Sequence, residues 1–233
     1  MMANSKIKAD QIIGPHNLDI LSLIIGSLLG DSHIEKRNKG FRLKFEQCNN
    51  NVEYLMWFHN FLAIRGYCND NIPKLHKRIK KDNKVFFHYS INTYTFNSFY
   101  WIHEMFYKWD SNKQNYIKIL PRFANLSEYL SPMALAIWFM GDGSKNGSSL
   151  RISTNCFTFE EIHELCKILF IKYNIIATAN KAGKNRGYIL YIHNKSRETF
   201  INIVNPYLIK SFKYKFSILP AAKPRAKFYI KPR

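Results

Sequence analysis

Two short apolar segments, each punctuated by small residues and each closed by glycine and aspartate, constrain this chain more than any other feature. The first reads Leu23-Ile24-Ile25-Gly26-Ser27-Leu28-Leu29-Gly30-Asp31 and the second Ala134-Leu135-Ala136-Ile137-Trp138-Phe139-Met140-Gly141-Asp142-Gly143. As helices, they place residues four apart, such as Gly26 and Gly30, on one face. Glycine inside a helix costs about 1 kcal/mol relative to alanine. It persists where another backbone must come close. An aspartate at a helix C-terminus meets the negative end of the dipole, a cost of about 0.3–1 kcal/mol. A divalent cation reverses that sign and also uses the free terminal carbonyls. Two such helices packed side by side and parallel bring Asp31 and Asp142, with the backbone of Gly30 and Gly141, to one edge. That is a metal-site pattern in a chain otherwise rich in positive charge.

Asp31 and Asp142 stand 111 residues apart, and the elements around them recur in the same order. Residues 18–31 predict an apolar helix. Alternation over 41–47 sets Phe41, Leu43 and Phe45 on one face and Arg42, Lys44 and Glu46 on the other, the pattern of a half-buried strand. Residues 53–64 predict a helix. A basic strand over 74–81 and a second strand over 85–92 flank the turn signal Asp82-Asn83, and 97–107 predicts a closing helix. The second half answers with a helix over 132–141 and a strand over 150–155 that exposes Arg151 and Ser153. A helix over 158–173 follows, opened by a Thr158/Glu161 capping box. Strands at 175–181 and 187–193 surround the turn 182–186, and 196–207 predicts the closing helix. This is a duplicated α+β unit. Residues 1–17 are expected to form an arm, 18–109 the first repeat, 110–130 a connector, 131–216 the second repeat and 217–233 a basic tail.

The partner class follows from charge. There are 35 Lys and Arg against 16 Asp and Glu, a formal net charge of +19. Such a field attracts polyanions, and phosphate neutralisation makes nucleic acid the leading partner. With 46% hydrophobic and 15% aromatic residues the chain can build a core, which excludes a disordered basic tail. The apolar runs 20–30 and 133–140 are too short to span a bilayer, and no signal peptide is visible. Cys48, Cys68, Cys156 and Cys166 form no CxxC pair, so they read as free thiols and not as a zinc ribbon. No HExxH and no GxxxxGK[ST] pattern occurs, so no nucleotide cofactor is expected. Abundant Asn, Ile, Lys and Tyr fit the codon usage of an A/T-rich genome, such as an organelle's.

The two segments resemble the paired motifs of the LAGLIDADG homing endonucleases, specifically the single-chain, two-motif branch. The second, with its lead-in Tyr129-Leu130-Ser131-Pro132-Met133, is the closer match. Phe157-Thr158-Phe159-Glu160-Glu161 and Asn205-Pro206-Tyr207-Leu208 also resemble that branch, and the likeness runs over residues 18–216. The first motif departs from the family's name-giving letters but keeps the small residues and the terminal acid. The resemblance implies an α+β fold of two pseudo-symmetric αββαββα repeats. Each would be a curved antiparallel sheet with helices on one face, the two joined through the paired motif helices.

The resemblance also implies a function. A monomer would make a metal-dependent double-strand break with short 3′ overhangs at a long, asymmetric DNA target. Asp31 and Asp142 would hold two or three divalent ions, with Gly30 and Gly141 beside them. Mg²⁺ would be the natural ion, Mn²⁺ a substitute, and Ca²⁺ would bind without cleavage. Lys118, before Ile119-Leu120-Pro121, and Lys215, in Tyr214-Lys215-Phe216, resemble the family's active-site lysines. Gln47 and Asn155, at matching strand ends, would orient water or metal ligands. Arg42, Lys44, Glu46, Lys74, His76, Arg78, Lys80, Lys84 and His88 would reach DNA from the first half. Arg151, Ser153, Lys181, Lys184, Arg186 and Tyr188 would do so from the second. An intron-encoded, organellar protein is expected, mitochondrial before chloroplast. Two other roles compete: an RNA maturase for the host intron, and a catalytically silent DNA-binding protein.

Overall fold

The computed structural model describes residues 16–79 and 82–216. The first repeat runs α1 (Leu18–Leu29), β1 (His33–Arg37), β2 (Gly40–Cys48), α2 (Val52–Ala63), β3 (Leu75–Ile79), β4 (Val85–Asn92) and α3 (Tyr100–Phe106). The second runs α5 (Pro132–Asp142), β7 (Gly143–Asn146), β8 (Ser149–Ser153), α6 (Phe159–Tyr173), β9 (Ala177–Lys181), β10 (Tyr188–Ile192) and α7 (Arg197–Val204). Both are αββαββα, and both sheets have the same antiparallel order, β1-β2-β4-β3 and β7-β8-β10-β9.

Between the repeats lie a hairpin, β5 (Tyr107–Asp110) with β6 (Asn115–Lys118), and a short helix, α4 (Phe123–Tyr129). The expected connector is therefore folded, and its hairpin is tied to the first sheet: Tyr107 Oη accepts from the Ile34 backbone N–H at 3.0 Å.

The two motif helices are buried almost all round, as helices at the centre of a molecule must be. Leu23, Ile24, Ile25 and Leu28 of α1 and Ala134 through Met140 of α5 are all 0–1% exposed. They pack against each other more than against any other element. A β-carbon on Gly26 would lie 2.3 Å from the Ala134 carbonyl oxygen, so the two backbones touch there. Both helices open on a side-chain cap, Asn17 accepting from Ile20 N–H and Ser131 from Ala134 N–H. Ser131 Oγ also donates to Ser22 Oγ at 2.6 Å, a polar bond across the helix pair.

Strand parity then assigns two faces. In β2, Phe41, Leu43, Phe45 and Gln47 are buried against the helices while Arg42, Lys44 and Glu46 stay half-exposed. In β8, Leu150 and Ile152 turn inward and Arg151 and Ser153 outward. No helix among the described residues is long and apolar enough to cross a membrane. All four cysteines are free thiols, Cys68 and Cys166 buried.

Candidate active site and nucleic-acid interface

The parallel pairing of α1 and α5 brings both aspartates to one edge, each over the glycine of the opposite helix. A β-carbon on Gly30 would lie 2.6 Å from Asp142 Oδ2, and one on Gly141 would lie 3.3 Å from Asp31 Oδ2. The small residues therefore make room for the acids as well as for the helix contact.

The two predicted lysines close the helix ends from outside. Lys118 Nζ donates to the carbonyls of Gly30 (3.0 Å) and Ser32 (2.9 Å). Lys215 Nζ donates to those of Met140 (2.6 Å), Phe139 and Gly141 (both 3.3 Å). An ammonium at a helix C-terminus answers both the dipole and the orphan carbonyls. Burial lowers the pKa of both lysines, Lys215 to about 8, against the opposing pull of Asp142 and Asp31. Burial, and next the charge of Asp31, push the Asp142 carboxyl up to about 7.

Gln47 reaches the site as expected: its Nε2 donates to Asp31 Oδ2 at 2.7 Å, and its Oε1 accepts from Asn51 Nδ2 at 2.9 Å. Asn155 does not reach it, because its Nδ2 donates to the Arg186 carbonyl. On strand parity the matching position is Thr154, which continues the buried face of Leu150 and Ile152 as Gln47 continues that of Leu43 and Phe45; both are buried. Asn155 lies one residue further along, on the opposite parity. The Thr154 hydroxyl turns away, donating to the Tyr188 carbonyl at 3.0 Å.

The outer face of the first sheet carries Arg42, Lys44, Glu46, His76, Arg78 and His88, brought together by the registers His76↔His88 and Glu46↔Ser90. Lys74 leads into β3 and Lys84 lies in the turn, paired with Asp82 at 2.9 Å. Lys80 lies outside the described residues. The αββαββα expectation includes a strand before β2 but no residues were assigned to it; it is β1, which adds His33 and Glu35 to this face through His33↔Lys44 and Glu35↔Arg42. Glu35 pairs with Arg42 at 2.7 Å and Glu46 with Lys44 at 2.8 Å.

In the second sheet Arg151 and Ser153 face outward, and Lys184 and Arg186 sit in the β9–β10 turn. Tyr188 and Lys181 are a correction. They pair with each other on the parity of buried Leu190 and Ile192, hence on the helix side, where the Tyr188 ring meets Phe159. Their outward neighbours are Thr178, Asn180, Ile189 and Tyr191.

The donor set suits hard divalent cations: two carboxylates and adjacent backbone carbonyls, all oxygen. Among the described residues no three His, Cys, Asp or Glu side chains cluster into a self-sufficient metal cage. That leaves coordination positions for phosphate oxygens and water, as Mg²⁺ prefers. The desolvated Asp142 carboxyl, held near neutrality by a like charge, is the group a cation would relieve.

A profile of the LAGLIDADG DNA endonuclease family matches residues 21–200, which takes in both glycine-aspartate motif segments. The chain is 42% identical over 206 residues to the cytochrome b mRNA maturase bI2 of Saccharomyces cerevisiae, covering 87% of this chain and 48% of that protein. It thus spans about half the length of that relative. It is 37% identical over 163 residues to the intron-encoded endonuclease ai4 of Dictyostelium discoideum, covering 69% of this chain and 98% of that one. Among solved structures, the homing endonuclease I-WcaI bound to its DNA recognition sequence aligns with a TM-score of 0.76 at 30% identity, over 93% of this chain and 95% of that one. The chain belongs to the LAGLIDADG DNA endonuclease family.

Proposed function

We propose that this protein is an intron-encoded, organellar homing endonuclease that acts as a monomer, cutting both strands of one long, asymmetric DNA site with divalent metal. The observation that carries this is the convergence of Asp31 and Asp142 over each other's helix glycines, flanked by Lys118 and Lys215. A family member whose paired acids had lost their work would have no reason to keep two carboxylates at this electrostatic cost.

Each aspartate serves one strand. When bound, two or three divalent ions, Mg²⁺ by preference, neutralise the scissile phosphates, acidify the attacking water and stabilise the leaving 3′ oxygen. The chain's own residues provide the rest. Lys118 and Lys215 hold the helix ends that carry the acids and set positive charge beside the phosphates. Gln47 fixes Asp31. Arg42, Lys44, His76, Arg78 and His88 on one sheet, and Arg151, Lys184 and Arg186 on the other, line the route of the duplex. A major groove about 12 Å wide accepts such strands.

The test is selection of cleaved duplexes from a random DNA library with Mg²⁺, repeated with Ca²⁺ to trap uncut complexes. One long, asymmetric sequence should emerge from both. No cleavage of any duplex would overturn the proposal.

The identity to a named mRNA maturase favours a second activity, assistance to splicing of the host intron, with RNA as a further partner. A splicing assay with the Asp31→Asn/Asp142→Asn protein separates the two, since splicing needs neither acid.

A further inference from the structure

We infer that Asn51 is a positioning residue for the Asp31 centre, holding the Gln47 amide against the carboxylate; this rests on the endonuclease reading above. A glutamine side chain is a donor at one end and an acceptor at the other, and only the donor end suits a carboxylate. Gln47 is 6% exposed and is held at both ends. Its Nε2 donates to Asp31 Oδ2 and its Oε1 accepts from Asn51 Nδ2, at 2.7 and 2.9 Å. Turning the amide over would set its oxygen against the Asp31 carboxylate and its amino group against that of Asn51. The carboxylate, an acceptor only, selects the Nε2 end, and the Asn51 bond holds the Gln47 amide in place from its other side.

The entry to α2 places Asn51 for this task. A 3-10 turn over Asn49–Asn51 runs straight into α2, and the extended residue that opens the run is Cys48 (φ −66°, ψ 159°). Asn51 thus lies inside the helical run and makes no capping bond. In the second repeat α6 opens directly on Thr158, which completes a capping box with Glu161. Thr154, facing Tyr188, provides no matching relay to Asp142. The two catalytic centres are thus built unequal, and the loss of Asn51 strikes one strand.

Asn51→Asp tests the contact. Aspartate has nearly the shape of asparagine, and its charge suits the first turn of a helical run. It can only accept, so it draws the Gln47 amino group away from Asp31. In metal-free, ¹⁵N-labelled protein, the Gln47 side-chain amide pair, assigned by its loss in Gln47→Ala, should shift in Asn51→Asp. On a duplex selected with the wild-type protein, Asn51→Asp should cut one strand about tenfold more slowly, as a small misplacement of a reacting group does. The other strand should keep its wild-type rate, and the thermal midpoint should not fall. On the Gln47→Ala background Asn51→Asp should add nothing, because the two act as one unit. An unmoved Gln47 amide pair, equal slowing of both strands, or additive effects would each overturn the relay. If the wild type cuts no duplex, the endonuclease reading fails, and the amide spectrum still decides whether Asn51 orients Gln47.

Discussion

At Asp142 the fold works against its own charge. The carboxyl titrates at about 7 in the folded protein against an ordinary 3.8. Between about pH 4 and pH 7 the folded state therefore holds more protons than the unfolded chain, and stability falls as pH rises through that window. On the proposed function a divalent cation held by Asp142 would replace the proton, so its binding would release protons and remove the slope. Thermal unfolding from pH 4 to 7 should show this decline in chelator, its loss with Ca²⁺, and its loss in Asp142→Asn. A second residue-scale consequence concerns Gly26. Gly26→Ala sets a methyl 2.3 Å from a backbone oxygen that cannot swing aside. We expect a loss of about 3 kcal/mol, the upper part of the range for overpacking a core, read by urea unfolding. Both aspartates were legible as helix ends and Gln47 as a strand end, whereas Lys118 and Lys215 were legible only through the family resemblance. Asn51 and Thr154 were not, since their roles depend on strand parity and on which neighbour a side chain meets.

Elements divide the same way. Long apolar or alternating segments, such as α1, β2, α5 and α6, carry their period in the sequence. Thr158 with Glu161 announces the start of α6, and the structure forms both bonds of that box. Thr158→Ala should cost about 1 kcal/mol and leave the ratio of the two strand-cutting rates unchanged. The strands β1 and β7, implied by the family resemblance, could not be placed on residues because His33–Arg37 and Gly143–Asn146 are short and mostly polar, with pairing to β2 and β8 as their only signature. The hairpin β5–β6 was hidden because the repeat has no counterpart for it. Tyr188 and Lys181 were assigned to the wrong face because the register of β9 and β10 fixes parity and the sequence does not. On the outer face, Glu35 and Glu46 hold Arg42 and Lys44, and both acids titrate below their ordinary value, burial being outweighed by those partners. Glu35→Gln should free Arg42 for phosphate. Non-specific DNA affinity should then rise and its salt dependence steepen by about one counterion, measured by fluorescence anisotropy on random duplex.

At the scale of the whole molecule, duplication solves one physical problem twice. Each half builds a sheet whose outer face is polar, more basic in the first half than in the second, and whose inner face packs on helices, and the glycine-cleared helix pair joins the halves so that two acids meet. Neither half has a complete site, because each aspartate rests on the other half's glycine. The most direct test is strand-resolved cleavage of the selected target in Mg²⁺ by Asp31→Asn and Asp142→Asn, with binding measured in Ca²⁺. The account predicts that each variant binds the duplex and cuts one strand only, the two variants sparing opposite strands. Normal cutting of both strands by either variant, or loss of the same strand by both, would contradict it.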